Sequence, residues 1–367
     1  MQNNHQHITA LQSARGIAAT VVVIHHCLYT FDTTGPLKEI AVLSRNGATA
    51  AVVFFFVLSG LVLTLSLQDK PTTTLTVLKF YVRRAWRIYP ALWVACALGL
   101  FYAVVLHPLA TAPQLTSWFV QRFEPEKLNA FYIVASFAAL IPFLVPPAWS
   151  IFVELAGSAF LPLIAFASRK RALLTGLFLA FLALGFAFPN KGYNAGMYLI
   201  DFVIGAAIIG IAPLLAPFLR KWRGLPAAVL TIFYMGAFDN GQPPAHHVLA
   251  LSAALLICTI LSRPGWKFLD GRFLARIGDI SYSIYILHFP IMCTIATFLS
   301  LTVRASSNQL ALILVAATVI ATWGASELVY RFVELPGIRG GKTFSKAIFS
   351  RWNVPARTVD DVQPRNP

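Results

Sequence analysis

The stretch LQSARGIAATVVVIHHCLYTF, residues 11–31, predicts one membrane-spanning helix, because about 20 mostly apolar residues are enough to cross a bilayer. It contains an arginine near one end and two histidines near the other. Ionisable side chains are costly in hydrocarbon, so their presence suggests a functional site. Arg15 and His26 point in directions within about 20° of each other, about 16 Å apart along the axis. His25 is turned about 80° away from Arg15, so the helical period favours His26 as its partner in a common groove.

The composition indicates an all-α membrane protein with many spans. Of the 367 residues, 57% are hydrophobic and only 12% are charged, whereas a soluble domain carries about 25% charged residues. The net charge of +15 does not require nucleic-acid binding, because the cytoplasmic loops of membrane proteins are rich in Lys and Arg. The four cysteines lie inside apolar runs without CxxC spacing, which favours simple packing roles, and no metal-ligand spacing is present.

Hydropathy predicts about ten spans, of which the seventh is short. The segment 129–145 is also apolar, but it contains Pro142 and runs into Pro146 and Pro147. We therefore expect an interfacial or re-entrant helix there. The predicted spans are 9–31, 48–68, 90–109, 150–168, 172–189, 194–212, 225–238, 246–262, 279–301 and 308–332.

The loop charges set the predicted orientation. With ten spans and both termini cytoplasmic, 22 of the 29 Lys and Arg residues fall on the cytoplasmic side or at the end of the last span, six fall on the opposite side, and Arg15 lies inside the first helix. This asymmetry follows the positive-inside rule. We predict a single membrane domain over residues 1–354 and a polar, disordered cytoplasmic tail over 355–367.

A carboxylate is predicted near the depth of His26. Glu154 begins the fourth span, and both residues are expected about 6–8 Å below the outer surface. A carboxylate in contact with the histidine would orient it and raise its basicity, as a general base requires. Alternatively, Glu154 caps the start of its helix after Ser150. The sequence leaves both interpretations open.

Four arginines are candidates for binding phosphate. Arg15 is predicted near the cytoplasmic boundary, where KFYVRRAWRIYPALW, 79–93, adds Arg83, Arg84 and Arg87 at helical spacing. Guanidinium groups bind phosphates well, so the four could hold a nucleotide-bearing donor. The competing interpretation is a snorkelling arginine beside an ordinary positive-inside segment.

The later spans add further candidates. In IGDISYSIYILHFP, 277–290, Ser281, Tyr285 and His288 share one helical face. Tyr282 is expected at the same cavity, and His288 is interpreted as structural or substrate-positioning. Glu327 and Arg331 are spaced as an intrahelical ion pair.

Two shorter features concern packing and the outer surface. Ser59 and Gly60, in the middle of the second span, indicate close helix packing rather than a nucleophile. The connection over 110–148 is long enough to be a lid or an acceptor-binding element.

Taken in order, these stretches resemble the acyltransferase 3 family of membrane O-acyltransferases. The first helix is similar to its Arg-x10-His pattern, with His25 at a position that is usually apolar. Five further elements resemble family motifs: FFFVLSG at 54–60, FYVRRAWRIYPALW at 80–93, PAWSIFVELAGSAFLP at 147–162, IGDISYSIYILHFP at 277–290 and SELVYRFVELP at 326–336.

The resemblance implies transfer of an acyl group, by default acetyl, from coenzyme A to a hydroxyl of an extracytoplasmic carbohydrate. His26 would be the general base or a transient acyl carrier, oriented by Glu154. Arg15, Arg83, Arg84 and Arg87 would bind the acyl-CoA phosphates, with no permanently bound cofactor. The expected location is the inner membrane of a bacterium, in contact with lipid, and a homo-oligomer is left open. The expected substrate-lining residues are Trp149, Ser150, Ser281, Tyr282 and His288.

Two departures from the family pattern and one competing class remain. The fourth-span motif often carries two successive acidic residues, whereas here Leu155 follows Glu154. We also expect a stand-alone form without a fused esterase-like domain. The competing hypothesis is a proton-coupled secondary transporter, since buried Arg, His, Glu and Asp side chains suit one. The sequence shows no sign of the inverted repeats common in that class.

Overall fold

The computed structural model describes residues 2–187, 195–221, 230, 243–262 and 268–349. Within these ranges the chain is helical, and no strand forms beyond a single bridge between Phe31 and Leu115. The predicted all-α fold is therefore confirmed. The helices are α1 Gln2–Leu28, α2 Pro36–Gln68, α3 Thr74–Phe101, α4 Ser117–Val120, α5 Ala130–Phe137, α6 Trp149–Ala167, α7 Arg171–Ala187, α8 Ala195–Lys221, α9 Pro243–Ser262, α10 Arg272–Asp279, α11 Ser281–Thr302, α12 Ser307–Val329 and α13 Leu335–Phe349.

Seven helical segments in the described ranges are long and apolar enough to cross a membrane: Pro36–Gln68, Thr74–Leu109, Pro146–Ala167, Gly196–Lys221, Ala245–Ser262, Ser281–Thr302 and Ser307–Phe349. The 27-residue α1 is long enough but is not among them. Its ionisable side chains, Arg15, His25 and His26, lower its mean hydropathy. The chain is thus an integral membrane protein. The count of ten spans and the side on which each terminus lies stay predictions.

The predicted spans and the structure differ at α3. α3 begins at Thr74 and continues through one π-helical turn to about residue 109, so the basic segment 79–93 belongs to the helix instead of preceding it. Thr73 caps the start of α3 by accepting a hydrogen bond from the Thr76 amide. The segment 129–145 contains only the eight-residue α5, about 12 Å long, which is too short to cross a bilayer. The predicted span 225–238 lies, except for one residue, outside the described residues.

The core of the bundle is built around α1, which packs against α2, α10, α11 and α12. Glycines allow the closest approaches. A Cβ atom on Gly16 would collide with the backbone of α10 at Gly278, and one on Gly60 would collide with the backbone of α8 at Phe202. The prediction that Gly60 marks close helix packing is confirmed, and α2 packs more extensively on α8 than on any other helix.

Candidate functional site

Two adjoining cavities lie along α1. The arginine cavity has a volume of about 210 Å³ and is lined by Arg15, Arg84 and Arg87 among others. The histidine cavity has a volume of about 220 Å³ and is lined by residues that include His25 and His26. Val52 and Tyr285 line both cavities and form the partition between them. Arg15 and His26 therefore open into two neighbouring spaces, whereas the shared helical face predicted one common groove.

In the arginine cavity, two guanidinium groups have no acidic partner in the described part of the chain. Among the described residues, neither Arg15 nor Arg87 has a carboxylate within 4.0 Å. Arg15 is half-buried, whereas Arg87 is exposed and marks the mouth of the cavity. A buried hydroxyl, Ser281 Oγ, also lines this cavity without a hydrogen-bond partner in the described part of the chain. Such groups are costly unless a ligand or water satisfies them, so the cavity is suited to an anionic, hydrogen-bonding guest.

The four predicted phosphate-binding arginines are not equivalent. Arg83 does not line the cavity, and its backbone lies close to Gly341 of α13. Arg84 is 7% exposed, and its Nη2 lies 2.6 Å from Glu154 Oε1. Its Nε also donates a hydrogen bond to Ser158 Oγ. The predicted cluster of four thus resolves into Arg15 and Arg87, with Arg84 held in a buried ion pair.

The predicted contact between Glu154 and His26 is wrong. Glu154 lies in the arginine cavity and pairs with Arg84, while His26 lies in the histidine cavity. Capping is not its role either, because α6 begins at Trp149 with no acidic residue in its first turn. The prediction rested on the similar depth of Glu154 and His26 in the membrane, and depth does not determine the direction in which a side chain points. A buried carboxylate without a partner is strongly destabilising, so Glu154 pairs with the nearby guanidinium of Arg84.

His288 is the partner of His26. Their Nδ1 (His26) and Nε2 (His288) atoms are 3.0 Å apart, and the rings are stacked at 5.0 Å. His288 is fully buried on α11, which packs directly against α1. Because one of the two nitrogens must donate, Nε2 of His26 is the nitrogen left for other chemistry. An imidazole, not a carboxylate, therefore orients the candidate base.

His25 also reaches the histidine cavity but is held differently. Its Nδ1 lies 2.9 Å from Ser44 Oγ, and Ser44 Oγ donates its own proton to the Ala41 carbonyl at 2.6 Å. Nδ1 of His25 is therefore the donor to Ser44. Each of the two rings is held by a hydrogen bond, His25 to Ser44 and His26 to His288.

A tryptophan from the long connection covers His26. Trp118, in the one-turn helix α4, stacks on the His26 ring with centroids 6.0 Å apart and planes 15° apart. The Arg122 guanidinium lies 4.6 Å above the Trp118 ring. Thr116 ties this segment to α1 by donating a hydrogen bond to the Tyr29 carbonyl at 2.9 Å. Trp118 was not predicted; the length of the 110–148 connection was the signal that could have found it.

The remaining predicted substrate residues divide between the cavities. Ser150 lines the arginine cavity, and its Oγ lies 2.8 Å from the hydroxyl of Tyr285 in the partition. Tyr282 also lines it and donates a hydrogen bond to the Ile88 carbonyl at 2.8 Å. Trp149 lines the histidine cavity and packs on Tyr198 at 5.4 Å.

Other charged groups lie outside both cavities. Glu327 accepts hydrogen bonds from Arg331 and Arg276, so the predicted Glu327–Arg331 pair is confirmed. The hydrogen bonds to Glu327 raise the pKa of Arg276. Asp201 and His246 form a fully buried pair at 2.9 Å. In the described ranges no group of three His, Cys, Asp or Glu side chains has the arrangement of a metal site.

A helical membrane bundle with two adjoining polar cavities along a central helix defines an integral membrane protein with an internal reaction or transport site. A family model described as an acyltransferase domain matches residues 8–327. The chain therefore belongs to the acyltransferase 3 family, as the sequence motifs predict.

The chain is also similar to a curated membrane acyltransferase. The chain is 23% identical over 380 aligned positions to the peptidoglycan O-acetyltransferase OatA of Listeria monocytogenes, covering 92% of this chain. It spans 57% of the length of that relative. No solved structure gives a significant match.

Proposed function

We propose that this protein is a membrane O-acyltransferase that moves an acyl group from acyl-CoA in the arginine cavity to a hydroxyl group in the histidine cavity. The observation that carries the proposal is the shared wall. Val52 and Tyr285 separate the cavity of Arg15 and Arg87, which have no acidic partner among the described residues, from the cavity that contains His26. The relative OatA is named a peptidoglycan O-acetyltransferase, which supports acetyl as the acyl group and a surface polysaccharide as the acceptor.

The donor would enter with its phosphates at Arg15 and Arg87. Arg87 lies at the exposed mouth, on the side that the loop charges assign to the cytoplasm. Unpaired guanidinium groups are suited to the phosphates of coenzyme A, and Ser281 Oγ offers a hydrogen-bonding group deeper in the cavity. The flexible pantetheine arm would then direct the thioester towards the partition.

Acyl transfer needs a group that removes a proton from the acceptor hydroxyl. The mechanism uses the tautomer in which His26 Nδ1 donates its proton to His288 Nε2, 3.0 Å away, because neutral His26 then has a basic Nε2. His26 takes the hydroxyl proton as the oxygen attacks the thioester carbonyl, the new C–O bond forms, the C–S bond breaks, and the thiolate leaves with a proton. Direct attack by His26 on the thioester, followed by transfer to the acceptor, uses the same nitrogen.

His288 would act as a positioning residue. A glutamine at residue 288 can place an acceptor oxygen near the position of Nε2, whereas alanine cannot. We expect His288→Ala to lower the rate of transfer at saturating substrate, and His288→Gln to recover part of it with an unchanged KM for acetyl-CoA. A purely packing role for His288 would instead give equal losses in both variants.

The deciding experiment uses purified full-length protein and labelled acetyl-CoA. We expect acceptor-dependent release of CoA and labelled ester on the polysaccharide, both lost in His26→Ala. The competing hypothesis is a proton-coupled transporter. Uptake of a polar solute by proteoliposomes that depends on His26, with no CoA release for any acceptor, would favour that transporter and contradict the transferase.

A further inference from the structure

Among the described residues that line the histidine cavity, one carries a permanent charge, and it is positive. Arg45, on α2, lines the cavity together with His25 and His26, and no aspartate or glutamate is among the described lining residues. In the described part of the chain, no carboxylate lies within 4.0 Å of the Arg45 guanidinium. A single cation in a recess with low-dielectric walls concentrates anions there.

The neighbouring groups do not compensate for this charge. His25 is already engaged with Ser44, and its Nδ1 donates to that hydroxyl. His26 is engaged with His288. Arg45 itself is exposed, so its planar guanidinium can reach a guest in the cavity without losing a protein partner. Guanidinium geometry matches carboxylate and phosphate oxygens in pairs.

Two aromatic rings form a wall of the same cavity. Trp149 and Tyr198 both line it, and their ring centroids are 5.4 Å apart. Such rings offer apolar faces against which the C–H face of a pyranose can pack, with polar groups fixing its orientation. The cavity thus combines a cation, a surface suited to a sugar ring and the candidate base.

We infer that the acceptor is an anionic saccharide: its carboxylate or phosphate binds Arg45, its ring packs on Trp149 and Tyr198, and its hydroxyl faces His26. This rests on the proposed function, because it names the substrate class of the same site. The competing role for Arg45 is an interfacial one towards lipid headgroups, in which case sugar binding would not depend on it.

Binding can be tested without turnover. Full-length protein in detergent micelles would be titrated with methyl β-D-glucuronide, methyl β-D-glucoside and methyl β-D-glucoside 6-phosphate, with saturation-transfer NMR as the readout. We expect at least one anionic sugar to bind about tenfold or more tightly than the neutral glucoside, which corresponds to about 1.4 kcal/mol. Whichever anionic sugar binds more tightly identifies carboxylate or phosphate as the preferred group.

The variants supply the controls. In Arg45→Gln the preference should disappear, whereas Arg304→Gln, which removes an exposed charge from the α11–α12 connection, should keep it. Equal affinities in the wild-type protein, a preference that survives in Arg45→Gln, or no saturable binding of any of the three sugars would overturn the inference. Acetyl transfer is measured separately. Transfer to neutral saccharides without charge preference would reject the inference alone, whereas Arg45-dependent binding without any transfer would reject only the proposed function.

Discussion

The two cavities along α1 are close in volume, about 210 and 220 Å³, and share a wall, yet their chemistry differs. The arginine cavity contains three guanidinium groups and one carboxylate. The histidine cavity contains two imidazoles and one guanidinium. In the first, an ion pair holds Arg84 and leaves Arg15 and Arg87 without acidic partners among the described residues. In the second, hydrogen bonds fix each ring and leave Nε2 of His26 for chemistry.

Phosphate binding and proton transfer are thus assigned to different cavities along α1. A guanidinium keeps its charge and is suited to holding phosphate, whereas an imidazole can gain and lose a proton at neutral pH. Placing them on either side of Val52 and Tyr285 lets one cavity bind the donor and the other move a proton. A change confined to one cavity should therefore leave the function of the other unaffected.

The largest effect is expected from His26→Ala. Loss of a general base lowers turnover by about 10²–10⁴-fold, measured as CoA release with saturating acetyl-CoA. The matched control is His25→Ala, which should retain most activity because His25 is bound to Ser44 and not to His288. Comparable losses in the two variants would reject the assignment of His26 as the base.

Glu154→Ala should mainly affect stability. Removing this carboxylate leaves the buried Arg84 without its partner, which typically costs about 3–5 kcal/mol. Thermal denaturation in detergent measures the loss, and the double variant Arg84→Met, Glu154→Met should recover most of it. A Glu154→Ala protein as stable as the wild type but inactive would instead return Glu154 to a catalytic role.

Val52→Trp should block passage through the partition. The larger side chain should reduce the rate of transfer by about 10²-fold, because displacing reacting groups by about 1 Å can lower a rate by that factor. The dissociation constant for acetyl-CoA should stay unchanged. Leu65→Trp, which adds the same bulk at an exposed position of α2 away from the cavities, is the control. Normal transfer in Val52→Trp would mean that the acyl group does not cross there.

A smaller effect is expected from Arg87→Gln. Loss of one charge-assisted contact to phosphate should raise the dissociation constant for acetyl-CoA by about tenfold, with turnover at saturation preserved. Isothermal titration measures the affinity. Arg83→Gln removes a neighbouring charge outside the cavity and should leave the affinity unchanged. Equal weakening in both would point to a diffuse basic surface instead of a defined site.

The sequence predicted what depends on local pattern. Long apolar runs identify membrane-spanning helices because length and hydropathy decide insertion. The helical period predicted one common groove for Arg15 and His26, whereas the structure places them in two adjoining cavities, the second of which is also lined by His25. The intrahelical pair of Glu327 and Arg331 was predictable because its two members lie four residues apart along the chain.

The sequence could not predict contacts between distant helices. His26 and His288 are 262 positions apart, and their hydrogen bond depends on how α1 and α11 are rotated against each other. Depth alone suggested Glu154, yet its direction around α6 sends it to Arg84. Trp118 covers His26 from a connection that has no apolar period to identify it.

The most direct test of the separation between donor binding and proton transfer compares His26→Ala with Arg15→Gln. For each protein, the dissociation constant for acetyl-CoA and the rate of transfer at saturating acetyl-CoA are measured. We predict that His26→Ala binds acetyl-CoA as tightly as the wild type but does not transfer the acyl group, whereas Arg15→Gln binds it more weakly but transfers at saturation. Loss of acetyl-CoA binding in His26→Ala, together with unchanged binding in Arg15→Gln, would contradict the assignment of the two cavities.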